Sequence, residues 1–255
     1  NKANELLNTQ FEQYRISEAL MTIYTTFRDE FSSWLLEIIK PAYGQPIDQT
    51  TYEQTLRIFE HLLQLLHPFM PFITEEIWQK LRNRQDGESI MVSLLPGTSA
   101  YDESLLTRFE AVKNIIVGIR NVRKQNNVAF KDALELKIKS NDRYPSDQTS
   151  IISKMGNIQS IETVNETVKG AWSFIADTVE YFIPASGQVN TEEVKAKLEE
   201  ELTYTKGFLA SVMKKLSNEK FMNGAPEQVV NNERKKQADA EAKIAAIEAQ
   251  LAELR

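Results

Sequence analysis

The sequence has no cysteine, so its 255 residues can build neither a disulfide framework nor a thiolate metal site, which fits a reducing cytoplasm. Histidine is almost as scarce. His61 and His67 stand alone, outside any His-x-x-x-His or His/carboxylate spacing that would hold a metal ion. No glycine-rich phosphate loop, nucleophile elbow or dinucleotide fingerprint occurs. There is no apolar run of the roughly 18 residues a membrane helix needs, and no charged-then-apolar leader. Positive charge is not in excess either: 30 Lys and Arg stand against 36 Asp and Glu, a net charge of −6. That balance excludes a domain that is basic throughout, so any polyanion contact must come from local patches. These absences predict no catalytic site, no bound metal or cofactor and no membrane span. The chain opens at Asn1, already in helical sequence, and reads as a piece of something longer.

What is present is mostly helical. From Ser17, a plausible N-cap, to Lys40, the residues Leu20, Ile23, Tyr24, Phe27, Phe31, Trp34, Leu35 and Ile38 recur at threes and fours. That stripe belongs in a bundle interior. A second helix over 49–66 turns Leu56, Phe59, Leu62, Leu63 and Leu66 inward. The connector His67-Pro68-Phe69-Met70-Pro71-Phe72 is held open by two prolines, and His67 reads as a helix-end hydrogen-bonding residue. Thr74 is expected to cap a short helix with Glu75 and Glu76 in its first turn, where the helix dipole favours carboxylates. After a loop containing Pro96 and Gly97, a long helix over 104–126 ends in Arg120, Arg123 and Lys124. Cations there suit the helix dipole. Alternatively they form a phosphate-facing ridge, since the three share one face and arginine suits phosphate.

Residues 128–187 change character. Leu134, Leu136 and Ile138 alternate with Glu135, Lys137 and Lys139, the mark of a half-buried strand. A short helix to about Met155, a strand over 158–164 and a hairpin over 172–183 turned near Ala176 and Asp177 complete a strand–helix–strand–strand module. Pro184, Ser186 and Gly187 form the joint to the last segment.

Residues 188–255 predict an antiparallel two-helix hairpin. Leu198, Leu202, Thr205, Leu209, Val212 and Leu216 form one seam; Val230, Glu233, Gln237, Ala240, Ile244, Ile247, Leu251 and Leu254 form the other. Gly224 is expected to take a positive φ in the turn, with Pro226 opening the second limb. Each limb of about 27 residues would extend roughly 40 Å. Charge divides along it. From Lys206 to Lys236 seven basic residues (Lys206, Lys214, Lys215, Lys220, Arg234, Lys235 and Lys236) face three acidic ones, while the rest of the hairpin has four basic against nine acidic. A rigid base with a cationic tip suits an arm that reaches a polyanion. The competing reading is a solvated outer face on a hairpin that docks a protein partner.

Several stretches together resemble the C-terminal part of valyl-tRNA synthetases. Tyr14-Arg15-Ile16-Ser17-Glu18-Ala19-Leu20, Trp34-x-x-Glu37-x-x-Lys40 and the run from Leu66 to Trp78 are similar to the anticodon-binding bundle shared by the valine, isoleucine and leucine enzymes. Ile119-Arg120-Asn121-Val122-Arg123 matches a later helix of that group. The block from Lys215 to Phe221, with Ala225-Pro226-Glu227 and Glu233-Arg234-Lys235-Lys236, is similar to the tip of the valine enzyme's coiled-coil arm. The resemblance implies a mainly α fold in three parts: an N-terminally truncated anticodon-binding helical bundle (1–127), a small α+β subdomain (128–187) and a coiled-coil tRNA-binding arm (188–255). It implies a cytoplasmic, monomeric aminoacyl-tRNA ligase that uses ATP and Mg at full length. This piece would lack both class I signatures and the editing domain. Its partners would be tRNA(Val) and the catalytic and editing domains of the same polypeptide. Arg120, Arg123 and Lys124 would serve the anticodon bundle, and the seven tip cations the tRNA elbow.

Overall fold

The computed structural model describes residues 1–95, 97–185 and 191–253, without the side chains of 191–194, Lys197, Lys220, Asn223, Gln250 and Glu253. The expectations for Pro96, for the Ser186 and Gly187 joint and for Leu254 lie outside the described residues. The chain divides into two compact units, Asn1–Glu103 and Ser104–Arg255.

The first unit is helical: α1 (Lys2–Glu12), α2 (Ile16–Thr25), a π-helical stretch (Thr26–Leu35), α3 (Leu36–Ile39), α4 (Gln49–Leu66) and α5 (Pro71–Leu81). Leu7, Ala19 and Ile23 are buried against Leu65, Leu66 and Phe69, and Leu63, Trp78 and Ile90 against Phe59, Ile77 and Leu81. The sequence spacing predicts one regular helix where the structure inserts i→i+5 turns. Ile23 of α2 and Phe31 of the π-helical stretch are buried, while Leu20 and Tyr24 of α2 are exposed. Phe31 stacks on Phe59 at 5.7 Å between ring centroids. Helix α2 begins at Ile16, so Ser17 falls in its first turn and is not the cap.

Thr74 is not a cap either. Pro71 takes the first position of α5, where a missing N–H costs nothing, and the Thr74 hydroxyl donates back to the Met70 carbonyl at 2.9 Å. His67 does bond at its helix end: Nδ1 lies 2.7 Å from that hydroxyl. Glu75, moved out of the first turn, accepts from Ser89 Oγ at 2.7 Å and from the Ile90 N–H at 3.1 Å, so it ties the following loop to α5.

The second unit contains α6 (Glu103–Gln125, entering at Ser104), β1 (Leu134–Lys139), α7 (Thr149–Gly156), β2 (Ile158–Val164), β3 (Ala171–Ala176), β4 (Val179–Pro184), α8 (Thr191–Leu216), α9 (Glu219–Gly224) and α10 (Glu227–Glu253). The sheet order is β2-β1-β4-β3, with β1 parallel to β2 through the α7 crossover and the other pairs antiparallel. The strand–helix–strand–strand reading holds, and Leu134, Leu136 and Ile138 are the buried face of β1.

Helix α6 packs on the sheet through Gly118. A Cβ on Gly118 would lie 2.2 Å from the Phe174 ring, and that ring stacks on buried Tyr181 at 5.0 Å. Gly118→Ala would gain about 1 kcal/mol of helix propensity, but such an overlap costs about 1–3 kcal/mol and the Tyr181 stack limits how far the ring can yield. A net loss of about 1 kcal/mol or more is expected in a urea melt. An unchanged midpoint would show the ring yields freely.

Val179 to Ile183 of β4 are buried at every position, both faces covered. The arm lies alongside: Ala242, Ala245, Ala246 and Ala249 of α10 line one open cavity with Ile175, Val179 and Glu180. Limbs α8 and α10 pack along their length as predicted, with Thr205, Val212, Val230, Glu233, Ala240 and Ile247 buried between them. The connection differs from expectation. Gly224 is not among the residues with positive φ and instead ends the short helix α9. The chain reverses by a helical turn followed by Pro226, whose carbonyl accepts from Val229 and Val230 at the start of α10.

Candidate nucleic-acid interface

The three cations at the end of α6 do not act together. Arg123 is 4% exposed, and all five of its N–H donors are taken by backbone carbonyls. Nε and one terminal nitrogen donate to the Gly156 carbonyl, that same nitrogen to Asn157 at 3.0 Å, and the other to Ala129 at 2.9 Å and Asp132 at 2.8 Å. The Phe130 ring lies 5.6 Å from the guanidinium carbon. Arg123 is therefore a staple holding α6 to the α7–β2 junction, and the phosphate-facing reading fails for it. The module packs against Arg123 alone of the three, so they do not form one exposed ridge. Arg120 and Lys124 lie on the exposed side of α6.

On the arm, the seven expected cations divide by partner. Lys206 pairs with Glu248 across the limbs at 2.7 Å. Lys215 and Lys236 both approach Glu233, at 3.5 Å and 2.6 Å. Glu233 is 6% exposed, and its carboxyl is held below the ordinary range, chiefly by the hydrogen bond from Lys236. Lys235 pairs with Asp177 in the β3–β4 turn, which holds its ammonium pKa above the usual value. Lys214 and Arg234 are exposed and have no ion-pair partner among the described residues. The Lys220 side chain lies outside the described residues.

The picture of a positive tip projecting free of the molecule is corrected in one respect. The middle of α10 is bound to the sheet, and four of the cations already have carboxylate partners. Periodicity placed Lys235 on the outer face of a two-helix seam, and nothing local to it reports a third surface there.

The cation-rich sites missed by sequence reading lie in the first unit. Arg84 stacks on Trp78 with its guanidinium carbon 3.5 Å from the ring centroid and pairs with Glu60, which also takes Arg82 at 3.0 Å. Arg57, His61 and Gln64 line the same cleft. His61 lies 3.0 Å from the Asn4 amide nitrogen, and burial lowers its pKa. The spacing of 57, 61 and 64 on one helical face was the available signal. Among the described residues, no group of three or more His, Cys, Asp or Glu is placed to hold a metal, and no helix is long and apolar enough to cross a membrane.

Comparison with known proteins adds to this geometry. The family described as the anticodon-binding domain of tRNA ligase matches residues 1–138, and the valyl tRNA synthetase tRNA binding arm matches residues 190–255. A valine–tRNA ligase of Parabacteroides distasonis is 52% identical over 250 residues, covering 97% of this chain and 28% of the relative. Those of Phocaeicola vulgatus and Enterococcus faecalis are 53% and 34% identical, each over 96% of this chain. The chain spans 28% to 29% of the length of these relatives.

Proposed function

This chain belongs to the anticodon-binding family of tRNA ligases and continues into the matched arm of valyl-tRNA synthetases; from that membership we propose that it holds and positions tRNA(Val) for a valine–tRNA ligase. Joining valine to tRNA with ATP and Mg is work for the remainder of such a polypeptide, whose catalytic and editing domains are the partners of this region. The bundle grips the anticodon stem and loop, and the arm meets the elbow. The observation that carries the reading is the exposure of Lys214 and Arg234 on an arm whose Lys206, Lys215, Lys235 and Lys236 have carboxylate partners. In an acidic molecule, two unpaired cations on a rigid helical pair are a surface for phosphate.

The test is a titration of the chain with a valine tRNA transcript at two salt concentrations. Contact with six or more phosphates weakens affinity about 10³-fold between 50 and 200 mM salt. Lys214→Glu with Arg234→Glu should lower affinity about tenfold at low salt while circular dichroism stays helical. Salt-independent association, or an unaffected double variant, would favour a hydrophobic protein-docking hairpin instead.

A further inference from the structure

Lys235 stands apart from the other arm cations because its carboxylate partner lies on the sheet and not on the arm. Asp177 and Thr178, the two central residues of the β3–β4 turn, both have positive φ, 49° and 67°. Two-residue hairpins favour that geometry, but Asn-Gly or Asp-Gly usually supplies it, and a β-branched threonine there is an outlier. The turn is held from several sides. Asp177 accepts from Asn114 Nδ2 of α6 at 3.0 Å and pairs with Lys235 of α10. The Thr178 hydroxyl accepts from Arg143 at 2.6 Å, and its backbone N–H faces the Asp239 carboxylate, one turn beyond Lys235 on α10. Acid on the turn meets base on the helix, and acid on the helix meets an N–H on the turn. Beyond this point Ala242, Ala245, Ala246 and Ala249 of α10 line an open cleft beside the sheet.

We propose that Lys235 is a positioning residue that, with Asp177, Asn114 and Asp239, clamps α10 onto the β3–β4 turn and so sets the angle at which Lys214 and Arg234 meet RNA phosphates. The RNA half of this statement rests on the function proposed above; the clamp itself does not. A residue that contacts phosphate and one that positions the arm differ in two readouts. Loss of a phosphate contact reduces the slope of log affinity against log salt by about one, whereas loss of a clamp leaves the count of phosphates unchanged. Reversing both partners restores a clamp but cannot restore a contact between Lys235 and phosphate.

The experiment uses the whole chain with amide hydrogen exchange and the same tRNA transcript. Lys235→Glu should raise exchange over 227–253 and at the turn, and lower affinity about fivefold. Asp177→Lys combined with Lys235→Glu should restore protection and bring affinity back to within about twofold. Lys235→Met, which keeps the apolar stem, should leave the salt slope unchanged where Lys214→Met lowers it by about one. Unaltered exchange in Lys235→Glu overturns the clamp. Restored protection without restored affinity, with a slope lowered in Lys235→Met, overturns the positioning role and makes Lys235 a phosphate contact. If the unmodified chain binds no RNA, the proposed function falls and the exchange data alone decide the clamp.

Discussion

Arg123→Met is expected to lower folding stability by about 3–5 kcal/mol, because it leaves four carbonyls without their donor at about 1–3 kcal/mol each, less what water and relaxation recover. The guanidinium joins three pieces of chain: the end of α6, the 126–133 connection through Ala129 and Asp132, and the α7–β2 junction through Gly156 and Asn157. The last two carbonyls end a helix, where no intrahelical N–H reaches them. Asn157 is in the left-handed conformation at φ 49° and itself donates to the Phe130 carbonyl at 2.6 Å. Hydrogen bonds to a charged group contribute about 1.5–3 kcal/mol each, but five converging on one side chain are not additive, so the sum is capped well below its face value. Methionine fills the volume and satisfies none of the four carbonyls. Lysine, with three donors on a flexible stem, should recover roughly half the loss. Urea unfolding of the three proteins reads this directly, and a loss below about 1 kcal/mol for methionine would mean water replaces the arginine. Well below the midpoint, Arg123→Met should leave tRNA affinity unchanged, because the side chain is enclosed.

That pair of outcomes marks where the sequence was legible. Periodicity located every seam residue of the arm that the structure describes, and the alternation from Leu134 to Ile138 found β1, because burial on one side leaves a repeat of seven or two. The spacing of Arg120, Arg123 and Lys124 was equally visible. The destination of Arg123 was not, since a cation pointing at solvent and one pointing at four carbonyls have the same spacing. The π-helical stretch escaped for a related reason: threes and fours in sequence do not reveal an i→i+5 turn. Lys235 needed a third surface, the β3–β4 turn, that is about 58 residues away along the chain. Gly224 shows the opposite error. Glycine permits a positive φ but does not require it, and a helical turn reverses the chain instead.

Glu233→Gln is expected to raise tRNA affinity by on the order of tenfold at low salt, although it removes a residue buried between the limbs. Glu233 is the shared counter-ion of Lys215 and Lys236, whose ammonium groups remain about half exposed, with side-chain exposures of 55% and 51%. For either lysine to meet a phosphate it must leave a carboxylate that burial has made a better partner than water, so the arm holds back two of its cations. Glutamine keeps the shape and accepts a hydrogen bond, but it releases the charge, and the net charge of the arm rises by one. The pH dependence has the same sign. The Glu233 carboxyl is held below its ordinary pKa, so the pairing contributes stability above the unfolded value and is lost only as pH falls through the depressed folded one. Near neutrality the brake is fully on, and the variant should bind tightest relative to the unmodified chain there. The salt slope should steepen by up to about two, one for each released lysine. Stability should fall modestly near neutral pH, because the pairing is lost while both lysines, about half exposed, remain solvated by water. A weaker-binding Glu233→Gln protein with intact helicity would show instead that the carboxylate aims Lys215 and Lys236 at the RNA, and the arm's charge would then have to be read as organised by Glu233 and not restrained by it.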